Sequence, residues 1–119
     1  VEMLTVKRQR GETRVEYDDV VSCYFEDMNR LYMGMIHDVS RSGIGVRFPS
    51  GTFREDFQDN ETVDIMFDSD TGKKIRIIGK WRYAHSEEDG NIRCGFRLMK
   101  ISKTYQVLVE MLLEFQEYR

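Results

Sequence analysis

Apolar residues return at every second position through most of this chain, and they set out a row of strands. Val21, Cys23 and Phe25 share one face of a strand over Val20–Phe25. The tetrad Glu26-Asp27-Met28-Asn29 reads as a hairpin turn, and Arg30–His37 as the returning strand. Asp38–Gly43 is a short connection rich in turn residues. Ile44, Val46 and Phe48 alternate with Gly45 and Arg47 in a third strand, stopped by Pro49-Ser50-Gly51. Val63, Ile65 and Phe67 mark a fourth. After a turn at Asp68–Gly72 comes the longest alternation. It puts Ile75, Ile77, Gly79, Trp81 and Tyr83 on one face, against Lys74, Arg76, Ile78, Lys80 and Arg82. Ser86–Asn91 turns the chain into a last strand carrying Ile92, Cys94, Phe96 and Leu98.

Three stretches depart from the twofold period. Val1–Arg14 sustains no period and holds four basic residues, so it reads as an arm or loop without packing of its own. Thr52–Glu61 is polar and irregular, with Phe53 and Phe57 expected to pin it to the core. Beyond Ser102, a plausible N-cap, Leu108, Met111, Leu112 and Phe115 recur at i, i+3, i+4 and i+7, which predicts a helix with one apolar face. Strands meeting in hairpins without a parallel crossover predict a mainly β fold. The expected architecture is a small antiparallel barrel of six or seven strands, with Trp81 in its core and a C-terminal α-helix as a lid. The expected division is an N-terminal arm over 1–16, a barrel over 17–100 and a helix over 101–119, all one domain.

The chain has 119 residues, enough for one domain with a genuine core and too few for two. It opens on Val1, which suggests a domain taken from a longer protein. No apolar run approaches the ~18 residues of a membrane span, and no signal peptide opens the chain. Cys23 and Cys94 lie in strands without metal-ligand or redox spacing. Two buried, reduced thiols in a chain able to build its own core fit a reducing cytoplasm. Net charge is −3, unevenly spread: residues 55–70 carry seven acidic groups and no basic one. An acidic protein is a poor match for long nucleic acids, whose binding depends on summed Lys/Arg–phosphate contacts. A local basic site on an acidic body suits a small dianion better.

Such a site is written in two places. Arg10-Gly-Glu-Thr-Arg14 is followed 24 positions further on, counted from Arg14, by Asp38-Val-Ser40-Arg-Ser-Gly43. Each arginine offers a rigid fork of donors that matches a phosphate or a guanine O6/N7 edge two bonds at a time. Its plane also stacks on a base. Asp38 supplies acceptors for a base's N–H groups, Ser40 a short donor and acceptor, and Gly43 room for close approach. His37 beside Asp38 and His85 at the end of the long strand lack ligand-spaced partners, so no metal is expected. His37, Asp38 and Ser40 are sequence neighbours whose side chains diverge, so they form no hydrolytic triad. No nucleophile elbow, P-loop or dinucleotide fingerprint is present, and no enzyme activity is expected.

The pair of motifs resembles the PilZ domain, the bacterial receptor module for cyclic di-GMP, whose pattern is RxxxR and then (D/N)xSxxG. Ser42-Gly43-Ile44-Gly45-Val46-Arg47-Phe48 is similar to the strand that follows the second motif. Cys94-Gly95-Phe96-Arg97 is similar to the family's late strand, though here the phenylalanine follows the glycine directly. The resemblance covers residues 7–100. It implies a barrel of the expected kind, and a non-catalytic cytoplasmic receptor that binds cyclic di-GMP, with no other cofactor. Arg10 and Arg14 would clamp phosphates and guanine faces, Asp38 and Ser40 would read guanine edges, and Gly43 would leave space. The flank before the first motif arginine influences whether one or two ligands bind; here it is Arg8-Gln9, with Gln9 where a second basic residue is common. The implied partner is an effector protein or a fused domain, and the output is motility, exopolysaccharide or other surface behaviour.

Two other classes compete. One is a protein-interaction module of the same fold with little nucleotide affinity. The other is a barrel for single-stranded nucleic acid, which the net charge and the inward aromatics disfavour. If the arm orders when phosphates arrive, the helix would couple that change to a neighbouring surface. The acidic stretch Glu55–Asp70 reads as a solvated loop face, with protein docking as its alternative role.

Overall fold

The structure, a computed structural model, describes residues 2–7, 12–51, 60–69 and 71–117. Phe53, Phe57 and residues 55–59 and 70 of the acidic stretch, as well as Arg8, Gln9, Arg10 and Gly11, lie outside the described residues. The elements run β1 (Met3–Thr5), β2 (Val15–Phe25), β3 (Arg30–Val39), β4 (Gly43–Phe48), β5 (Thr62–Asp68), β6 (Lys74–Ser86), β7 (Ile92–Ser102) and α1 (Lys103–Glu117). All pairings are antiparallel. The order β7-β4-β3-β2-β5-β6 closes on itself through β6–β7, and β1 adds to β7. Six strands thus form a closed barrel, which leaves no open edge among them.

Inward alternation fills the barrel. Val21, Cys23, Phe25, Ile36, Ile44, Val46, Val63, Ile65, Ile75, Ile77 and Cys94 are fully buried. Phe25 lies edge-on to Tyr32 at 5.5 Å and tilted against Phe96 at 6.2 Å between ring centroids. Trp81 is buried as the alternation requires. Burial raises both thiols: Cys94 to about 11, and Cys23 further still.

Three departures from the expected pattern are informative. First, the arm is not wholly irregular. Met3–Thr5 pairs with Lys100–Ser102 of β7, and the Val6 amide donates to the Met99 carbonyl at 3.0 Å. A three-residue strand is too short to show a period, so no alternation could announce it. Secondly, Tyr83 does not face the core. Trp81 pairs with Phe96 but Tyr83 with Gly95, so Arg82 is one residue extra on β6. This bulge reverses the alternation, and Tyr83 emerges half exposed.

The third concerns α1. Ser102 caps it as expected, its Oγ accepting the Tyr105 amide at 3.4 Å. The face it buries is carried by Tyr105 and Val109, with Leu108, Leu112 and Leu113 partly covered. Met111 and Phe115, expected inside, are exposed. Tyr105 was invisible to an apolar count because it reads as amphipathic. Its ring nevertheless fills the core, while its hydroxyl finds partners on the loop described next.

Candidate functional site

β3 carries the second motif into position by means of another bulge. Ile36 pairs with Val46 and Asp38 with Gly45, so His37 is the extra residue. The core-facing positions consequently shift from Ile36 to Val39, both fully buried. Asp38 is thereby turned away from the apolar interior. Its carboxylate and the His37 ring cover the backbone of Gly45, where a Cβ would come within 2.4 Å of the imidazole and 2.8 Å of Asp38 Oδ1. Any larger residue there would displace the imidazole or the carboxylate.

Arg14 stands one residue before β2, whose register sets Glu16 opposite Asp38. Its Nη1 donates to Asp38 Oδ1 at 2.6 Å. Asp38 Oδ2 meets His37 Nδ1 at 2.9 Å and Arg93 Nη2 at 3.3 Å, and Arg93 Nε donates to His37 Nε2 at 3.1 Å. Burial alone would raise the Asp38 carboxyl. The hydrogen bonds from His37 and Arg14 outweigh it and hold the group well below the usual carboxylate range. An ionised acceptor is thus fixed beside a guanidinium.

The connection after β3 is a tight loop. The Ser40 amide donates to the Gly43 carbonyl at 2.9 Å and its Oγ to the same oxygen at 3.2 Å. Tyr105 Oη donates to the Ser40 carbonyl at 2.8 Å and lies 3.3 Å from that of Gly43. Glu12, between the motif arginines in sequence, accepts from both the amide and the hydroxyl of Ser42 at 2.7 Å. Residues 12–14 therefore pack onto the second motif, in contrast to the expected arm without contacts. Arg41, inside the motif, makes a two-pronged ion pair with Glu110 of α1 at 2.8 and 3.2 Å.

Arg14, Ser40 and Gly43 line one open cavity of about 410 Å3, and Asp38 stands behind Arg14. A Cβ on Gly43 would lie 2.9 Å from Arg14 Nη2 and 3.3 Å from Ser40 Oγ. The rest of the lining comes largely from β6 and β7 and includes Tyr83, Gly95 and Arg97. Sequence reasoning missed Glu12, Arg93, Tyr83 and Arg97. Glu12 and Arg97 sat inside the quoted motifs as spacer residues, and Tyr83 was hidden by the bulge. Among the described residues no group of three His, Cys, Asp or Glu side chains is placed to hold a metal ion.

A closed antiparallel barrel with a C-terminal helix carries a cleft rich in guanidinium donors at the start of β2 and the β3–β4 loop. The chain belongs to the PilZ domain family, whose model matches residues 8–115. Among solved structures, it is similar to the inhibitor of motility MotI/DgrA of Bacillus subtilis, with a TM-score of 0.74 and 14% identity. That match covers 95% of this chain and 54% of the other, so the chain spans about half the length of that protein. It is also similar to the PilZ domain of YcgR from Escherichia coli, solved with c-di-GMP. There the TM-score is 0.69 and the identity 12%, over 93% of this chain and 94% of the other. These likenesses concern the fold. No curated protein matches the chain at significance.

Proposed function

We propose that this chain is a cyclic di-GMP receptor domain that passes ligand capture on to a protein partner or a fused domain. The observation that carries the reading is the convergence of Arg14, Ser40 and Gly43 on one cavity, with Asp38 held ionised against Arg14. A bis-guanine dianion offers what these groups lack: phosphates for the guanidinium and N–H edges for the carboxylate. Arg14, joined by Arg10, clamps phosphates and guanine faces. Asp38 and Ser40 read guanine, and Gly43 leaves room for the ring. Arg8 and Gln9 flank the clamp and bear on whether one ligand or a stacked pair is taken.

Family membership supports the ligand class, and the E. coli structure with c-di-GMP shows a relative of this fold holding that molecule. PilZ domains are receptor domains rather than enzymes. The name of the B. subtilis protein favours a motility output, within a broader range of surface behaviours. No described helix is long and apolar enough to cross a membrane, and a bacterial cytoplasmic site of action fits the ligand. In this reading residues 1–16 close over the ligand, 17–100 hold it and 101–119 report it.

Calorimetric titration of the wild type, Arg10→Ala and Arg14→Ala with cyclic di-GMP tests the assignment. Charge-assisted hydrogen bonds contribute roughly 1.5–3 kcal/mol each. Either substitution should therefore weaken binding by about one to two decades. Absence of heat from folded wild-type protein at micromolar concentration would replace the receptor by an interaction module of the same fold.

A further inference from the structure

The β6 bulge leaves a consequence at the cavity. Arg82 is the extra residue, and Tyr83 is swung outward to lie on Gly95 of β7. A Cβ at Gly95 would come within 2.3, 2.5 and 2.8 Å of Tyr83 Cε1, Cζ and Oη. The ring therefore occupies the space above a bare stretch of backbone, supported from below and half exposed above. Bulges re-aim side chains beside binding sites, and an aromatic ring held over glycine is rigid at low entropic cost. Gly95 and Arg97 are two apart on β7 and share its outer face. Arg97 pairs in register with Gly43 of the second motif, so β7 brings it directly beside the loop that ends that motif, and both residues line the cavity. Its Nε is buried and meets no acceptor among the described residues. A buried guanidinium N–H without a partner is costly, and an acceptor on an incoming ligand relieves that cost.

We propose that this β6–β7 wall is a further part of the binding site, with Tyr83 as a stacking platform for a purine and Arg97 as a donor to the ligand's acceptor atoms. The inference rests on the cyclic di-GMP reading above and extends it. Arg14 and the Ser40–Gly43 loop grip the ligand, while Tyr83 and Arg97 receive it from the neighbouring strands. The cavity is lined by both sets. The Asp38 cluster is held through Arg14, His37 and Arg93, so Tyr83 and Arg97 can be altered without dismantling it.

The test is titration of cyclic di-GMP into wild type, Tyr83→Ala, Tyr83→Phe, Arg97→Met and Arg97→Lys, with a thermal melt of each. Tyr83→Ala should weaken binding about tenfold or more, and Tyr83→Phe by no more than about threefold, since stacking needs the ring and not the hydroxyl. Arg97→Met should lose roughly ten- to a hundredfold. Arg97→Lys keeps the charge but not the fork, and should stay at least about fivefold weaker than wild type. Should Arg97→Met unfold, the Lys variant and the Tyr83 pair still decide the matter. Wild-type affinity in Tyr83→Ala and Arg97→Lys, alongside a collapsed Arg14→Ala, overturns this wall and leaves the receptor reading intact. No binding by wild type overturns both.

Discussion

Asp38 is held from both sides: a guanidinium on one oxygen, an imidazole and a second guanidinium on the other. Its folded-state pKa is depressed, so the stabilisation it contributes is present in full above the unfolded value, near 4. That contribution is lost progressively as pH falls below that value toward the folded one. The side chain is mostly buried, so the effect is not screened away, and a contribution on the order of 2 kcal/mol is expected. Asp38→Asn should therefore be less stable than wild type at pH 7, and the gap should shrink steadily between about pH 4 and pH 2. Urea melts across that range measure it. A gap that stays constant down to pH 2 would show that the cluster is held by packing rather than by charge. Under the proposed receptor reading the same cluster bears on ligand capture: Arg14 would exchange some of its hold on Asp38 for a phosphate, and the carboxylate so released would gain acceptor capacity for a guanine edge.

Among the elements, α1 and the β3–β4 loop form a coupled pair. Tyr105 is fully buried, and burial pushes its hydroxyl far above the ordinary tyrosine range. That hydroxyl is a committed donor to the carbonyls of Ser40 and Gly43. Tyr105→Phe keeps the ring and leaves buried carbonyl capacity unmet, so it should cost about 1–2 kcal/mol and lower the melting temperature by several degrees. A melt within 1 °C of wild type would refute the coupling. The Arg41–Glu110 pair joins the same two elements but is half exposed at both ends, and contributes little by comparison. Strands that alternate without interruption, such as the first half of β6, could be read directly because one face meets a dry core. What escaped were the places where the period slips. The bulges at His37 and Arg82 each add one residue, and each reverses which face the following side chains occupy. The site is built on those slips. Asp38 and Ser40 were recognisable by motif, whereas Tyr83 was assigned inward by the very alternation that the bulge breaks. β1 has no period to detect, and Tyr105 hides a core role behind a polar tip.

The whole molecule is a closed barrel whose last seam, β6–β7, lines the same cavity as Arg14 and the β3–β4 loop. A ligand seated there touches the start of β2, the loop after β3 and both strands of the seam. It would tie together segments that are far apart in sequence and that part only when the barrel opens. Opening a closed barrel of this size is expected to be cooperative, so a ligand that binds only the closed form stabilises the entire domain. At a free concentration one hundred times the dissociation constant, the gain is about 2.7 kcal/mol. The melting temperature should then rise by roughly 10 °C. In Arg14→Ala, with affinity lower by one to two decades, the same ligand concentration should give only about 0.4–1.4 kcal/mol and a correspondingly smaller rise. A scanning fluorimetry series in cyclic di-GMP reads both. An equal rise in wild type and Arg14→Ala would place the ligand elsewhere on the barrel, because a site that ignores this guanidinium cannot be the one it lines.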